Sequence, residues 1–106
     1  MPNNDILPMR PPSPAKDWRV IGMWRTKQQF LVTLARSEAE CRRSVVDAID
    51  DFSHADLLSL DSVWIEHWTK DDFTGEWTWL PTEELSLRKI RLRAAARTQH
   101  ALRKTA

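Results

Sequence analysis

Few side chains in this chain are equipped for acid–base or metal chemistry, and their spacing is poor. His54, His67 and His100 lie thirteen and thirty-three residues apart, so no two share a helix face as metal ligands would. His54 with Asp56, and His67 with Asp71 and Asp72, are the nearest groupings of ligand types. Asp71, Asp72 and Glu76 surround Gly75 but lack the D-x-D-x-[DN]-G order of a calcium loop, and they read as a solvated turn. Cys41 is the only cysteine, which excludes an internal disulfide and a cysteine-based zinc cluster within one chain. With only Gly22 and Gly75 there is no glycine-rich phosphate loop. The expectation is a non-catalytic protein with no cofactor and no metal.

Binding chemistry is better supplied. The sequence holds six tryptophans and no tyrosine. Trp64 and Trp68, then Trp77 and Trp79, alternate along two candidate strands, so each pair points to one side. If that side is open, the rings form a platform for a partner's apolar groups or for unpaired bases, at ~1–3 kcal/mol per stacked base. If it is closed, they are core.

The second binding feature is a charge imbalance. From Leu85 to Ala106 there are seven basic residues (Arg88, Lys89, Arg91, Arg93, Arg97, Arg103 and Lys104) and no acidic one. Residues 1–84 carry nine basic and fifteen acidic groups, so the overall +1 conceals two oppositely charged pieces. On a helix, Lys89, Arg93 and Arg97 recur at i, i+4 and i+8. Such a rod suits a phosphate backbone, with a log–log salt slope near about −6 for seven contacts. It equally suits an acidic protein partner, the chain's own Asp47, Asp50, Asp51, Asp71 and Asp72, or plain solubility. Its apolar residues form no broad lipid-facing stripe, so a membrane surface is not expected.

These residues must be positioned by a small scaffold. At 106 residues there is room for one domain. Residues 1–16 contain five prolines and read as a disordered Pro-rich arm, residues 17–84 as an α+β domain, and residues 85–106 as the basic helical tail. Residues 18–24 and 29–35 are rich in strand formers and should make a hairpin, although no Asn-Gly turn marks it. Ser37-Glu38-Ala39-Glu40 matches a capping box, and Cys41, Val45, Ala48, Ile49 and Phe52 then fall on one stripe of a helix over about 38–52. On that stripe Cys41 reads as a small buried hydrophobe.

Leu57, Leu58 and Leu60 look like an apolar loop or short strand. Residues 63–69 and 76–80 should form a second hairpin, ended by Pro81, with a helix opening at Thr82. The expected fold is α+β, a four-stranded antiparallel sheet in β-β-α-β-β-α order, with one helix packed on the sheet and a basic C-terminal helix. The alternative puts the second hairpin in a sheet of its own. No signal peptide or membrane span is visible, which reads as cytoplasmic by default.

The functional expectation is a small interaction module. It would bind a protein partner or a second copy through Trp64, Trp68, Trp77 and Trp79 together with Arg88, Lys89, Arg91, Arg93 and Arg97. The alternative is nucleic-acid binding, with the tail on phosphates and the indoles stacked on bases.

Overall fold

A computed structural model describes residues 7–105, with side chains up to Ala96. Residues 1–6 of the proline-rich arm lie outside the described residues, as do the side chains of Arg97, Arg103 and Lys104. The elements run β1 (Trp18–Trp24), β2 (Gln29–Ala35), α1 (Glu38–Asp50), α2 (His54–Ser59), β3 (Leu60–Lys70), β4 (Trp77–Leu85) and α3 (Leu87–Thr105). The strands form one antiparallel sheet in the order β2-β1-β3-β4. The two hairpins join through β1 and β3, paired from Trp18↔His67 to Trp24↔Leu60, so the second hairpin has no sheet of its own.

One face of this sheet makes the core. Val20 and Trp24 of β1, Phe30 of β2 and Val63 and Ile65 of β3 meet the α1 stripe of Cys41, Val45 and Ile49. The Trp24 ring is 1% exposed, stacks on Phe30 at 4.3 Å and meets Phe52 at 5.8 Å. Stacked and tilted rings at such separations gain about 0.5–1.5 kcal/mol beyond their buried area. Gly22 lies under Phe30, where a Cβ would come within 2.4 Å of the Phe30 ring. Gly22→Ala is therefore expected to cost about 1–3 kcal/mol by overpacking, read as a lower urea midpoint.

The N-cap forms as the spacing predicts, but the reciprocal half of the capping box does not. Ser37 Oγ accepts the Glu40 amide at 3.1 Å, whereas the Glu40 carboxylate accepts the amide of Arg36, one residue before the cap, at 3.0 Å. The β1–β2 turn has no glycine because Lys27 takes the left-handed conformation itself (φ 75°), which explains its missing sequence signature. In the second hairpin Gly75 takes that role (φ 73°).

Two local expectations are corrected. The Leu57–Leu60 stretch is not a loop or strand throughout: His54–Ser59 is a short helix, α2. Its Ser53 Oγ accepts the Asp56 amide at 3.1 Å, and the Asp56 carboxylate returns to the Ser53 amide at 3.3 Å. Pro81 does not end its strand either. β4 runs on to Leu85, and α3 begins at Leu87 rather than Thr82. β4 is an edge strand, where a missing amide costs no ladder bond, and the register shift beside Pro81 absorbs one extra residue.

Candidate interaction surface

The ladder sorts the tryptophans by face. Trp68 pairs with Trp79, Lys70 with Trp77, Glu66 with Pro81 and Ile21 with Trp64. Side chains alternate along a strand, so Trp64, Trp68, Trp77 and Trp79 share the face turned away from α1. The four indoles thus lie on the side of the sheet opposite the helix-packed core. Trp68 and Trp79 meet edge to face, with centroids 5.4 Å apart. Trp64 is half-buried, and Trp77 is the open one at 61% exposure.

A buried ion pair, between residues too far apart in the chain to be matched by pattern, holds this outer face in shape. Arg19 Nη2 lies 2.6 Å and Nε 2.7 Å from Glu66 Oε1. The other carboxylate oxygen accepts the Trp64 indole N–H at 2.9 Å. The guanidinium also sits 4.2 Å from the centre of the Trp79 ring, a cation–π contact. Its Nη1 donates to the carbonyl of Pro8 at 2.6 Å, which ties the proline-rich segment to this side of the sheet. Burial pulls the Arg19 pKa below its ordinary value, and the Glu66 contacts oppose that shift. Ile21, fully buried yet outside the helix-side core, completes this layer.

Arg91 clasps α3 to the end of α2. Arg91 donates from Nε and Nη2 to the Leu57 carbonyl at 3.3 and 3.1 Å, and from Nη2 to the Leu60 carbonyl at 3.1 Å. These carbonyls lie at the end of α2, where backbone acceptors lack helical partners. Arg91→Ala should cost about 1.5–3 kcal/mol and loosen α3. Amide exchange along residues 87–95 would rise well above that of β1.

Among the described residues, Arg88, Lys89 and Arg93 are exposed and meet no acidic side chain, and Glu83 is held by Arg42 of α1. Between α1, the end of β4 and α3 lies a groove of ≈ 310 Å³ with Val46, Ile49, Leu85 and Ile90 among its lining. Lys89 and Arg93 stand on its α3 wall.

The remaining reactive groups are placed by packing. Cys41 is fully buried, and its thiol pKa is pushed up to about 11 by that burial, with Glu40 and Glu38 adding to the shift and Arg42 opposing it. The thiol stays protonated near neutrality, which makes it a weak nucleophile. Because the folded form holds this proton more tightly than the unfolded chain, stability should fall as pH rises from 9 to 11. A Cys41→Ala variant, followed by denaturation across that window, should show a shallower fall. His67 stacks on Trp18 at 4.0 Å and meets Asp17 at 3.1 Å, on the core side of the sheet. No group of three or more metal-ligating side chains occurs among the described residues. No helix there is long and apolar enough to cross a membrane.

The site is defined by geometry alone. The molecule is an α+β protein with an aromatic sheet face and a C-terminal helix rich in basic residues. No family model matches the chain, and neither a curated protein nor a solved structure shows significant similarity to it.

Proposed function

We propose that this protein is a small non-catalytic interaction module that binds a protein partner or a second copy of itself through the tryptophan face and α3. The observation that carries this reading is the division of the indoles. The core closes around Trp24, Phe30 and the α1 stripe, while four tryptophans lie on the face turned away from α1, three of them half-buried and Trp77 exposed. Large aromatics beside arginines are the residue types that dominate binding hot spots, where truncation costs about 2 kcal/mol or more. Trp77, exposed and uninvolved in the ion-pair cluster, is the natural anchor.

Nucleic acid is the less favoured occupant. A base stacked on Trp77 would bring its phosphates toward Asp71, Asp72 and Glu76 of the same hairpin end. The exposed cations of α3 lie at the opposite end of β4.

A photoreactive amino acid placed at position 77, with one at Arg43 on exposed α1 as control, tests the proposal. A discrete cross-linked species from position 77 alone supports it. Equal, diffuse labelling from both positions contradicts it. A labelled oligonucleotide that binds at about 50 mM salt and is released by about 200 mM would favour nucleic acid instead.

A further inference from the structure

Phe73 stands in the β3–β4 turn with its ring 99% exposed, so the whole phenyl surface is available to a contact. The turn around it is ordered. Asp71 Oδ1 accepts the Phe73 amide at 2.7 Å, the Asp71 carbonyl accepts the Gly75 amide at 2.8 Å, and Thr74 Oγ1 accepts the Glu76 amide at 3.2 Å. A ring presented on a preset turn loses little conformational freedom on contact. Asp72 and Glu76 flank it, exposed and without an ion-pair partner among the described residues.

The groove between α1 and α3 has the complementary chemistry. Its lining includes Val46, Ile49, Leu85 and Ile90, and its volume of ≈ 310 Å³ admits a phenyl side chain. Of the groove's three cations, Arg42 is paired with Glu83, while Lys89 and Arg93, one helical turn apart on its wall, meet no acidic side chain among the described residues. Of the acids on the rim, Glu83 is held by Arg42 and Asp50 is also engaged, which leaves Glu84. The tip and the groove lie at opposite ends of the nine-residue β4, roughly 26 Å apart along the strand. A single copy cannot fill its own groove.

We propose that Phe73 of one copy inserts into the α1–α3 groove of the next, with Asp72 and Glu76 meeting Lys89 and Arg93. The contact joins two different patches, so it propagates head to tail, into a ring if the rotation closes and an open chain if it does not. This takes the self-association branch of the proposed function but uses Phe73 and the groove in place of the indoles, so the two can fail separately.

Sedimentation equilibrium of the full chain tests it. The wild type should gain mass with concentration beyond a dimer at low salt. At about 1 M salt, where screening acts over about 3 Å, association should weaken at least tenfold. Phe73→Ser should be monomeric, as should Lys89→Glu with Arg93→Glu. Asp72→Lys with Glu76→Lys should also be monomeric alone, and mixing it with the Lys89→Glu, Arg93→Glu protein should restore assembly. All these positions are exposed, so the fold should tolerate each change. A wild type that stays monomeric at every concentration overturns the inference, as does a Phe73→Ser protein that assembles like wild type. If Trp77→Ala dissolves an assembly that Phe73→Ser leaves intact, this inference falls and the indole reading stands.

Discussion

Glu66→Ala should destabilise the fold by about 3–5 kcal/mol, because it leaves the Arg19 guanidinium buried without its counter-charge. Both side chains are about nine-tenths buried, and Glu66 also accepts the Trp64 indole N–H. Removing the carboxylate therefore strands two donors at once. The expected readout is a large drop in urea midpoint together with a changed near-ultraviolet signal from Trp64 and Trp79. Replacing both partners, Arg19→Met with Glu66→Leu, should cost clearly less than the single change, since no unpaired charge remains. A Glu66→Ala loss below about 1 kcal/mol would mean that water reaches the pair and that this face is looser than described.

The second large effect separates the indoles by role. Trp24→Ala should cost about 3–5 kcal/mol, because the ring is buried between Phe30 and Phe52 and its removal leaves a cavity that α1 cannot close. Trp77→Ala should change stability by less than about 0.5 kcal/mol, because the ring is mostly in water. Its effect should appear in association, where loss of an anchoring aromatic weakens binding by about 2 kcal/mol, roughly thirtyfold. Comparing the two variants in one unfolding and association series separates core tryptophans from surface ones. Equal stability losses would put Trp77 in the core and undo the reading of this face.

Much of this arrangement was legible in the residue order. The Ser37 N-cap, signalled by Ser37-x-x-Glu40, and the spacing of Cys41, Val45 and Ile49 marked α1 and its buried side. The spacing of Trp64 and Trp68, and of Trp77 and Trp79, put each pair on one side of its own strand; that both pairs share a face comes from the Trp68↔Trp79 register. Which face that would be was not legible. It follows from the β1–β3 pairing, which brings together residues 36 to 49 positions apart.

The Arg19–Glu66 pair was hidden for the same reason, with its partners 47 positions apart. α2 left one trace, Ser53-x-x-Asp56, in which aspartate stands where a capping box usually has glutamate. Pro81 misled because a proline ends most strands, and nothing local marks β4 as an edge strand. Phe73 was readable only as part of a turn, since exposure is a property of the folded molecule.

Hydroxyl-radical footprinting of each tryptophan, in dilute solution and again in the cross-linked or concentrated state, tests the division of the indoles most directly. The account predicts rapid oxidation at Trp77 and almost none at Trp24 in the dilute protein, with Trp77 becoming protected on association. Trp77 as slow to oxidise as Trp24 in the dilute protein, or equally reactive before and after association, would contradict it.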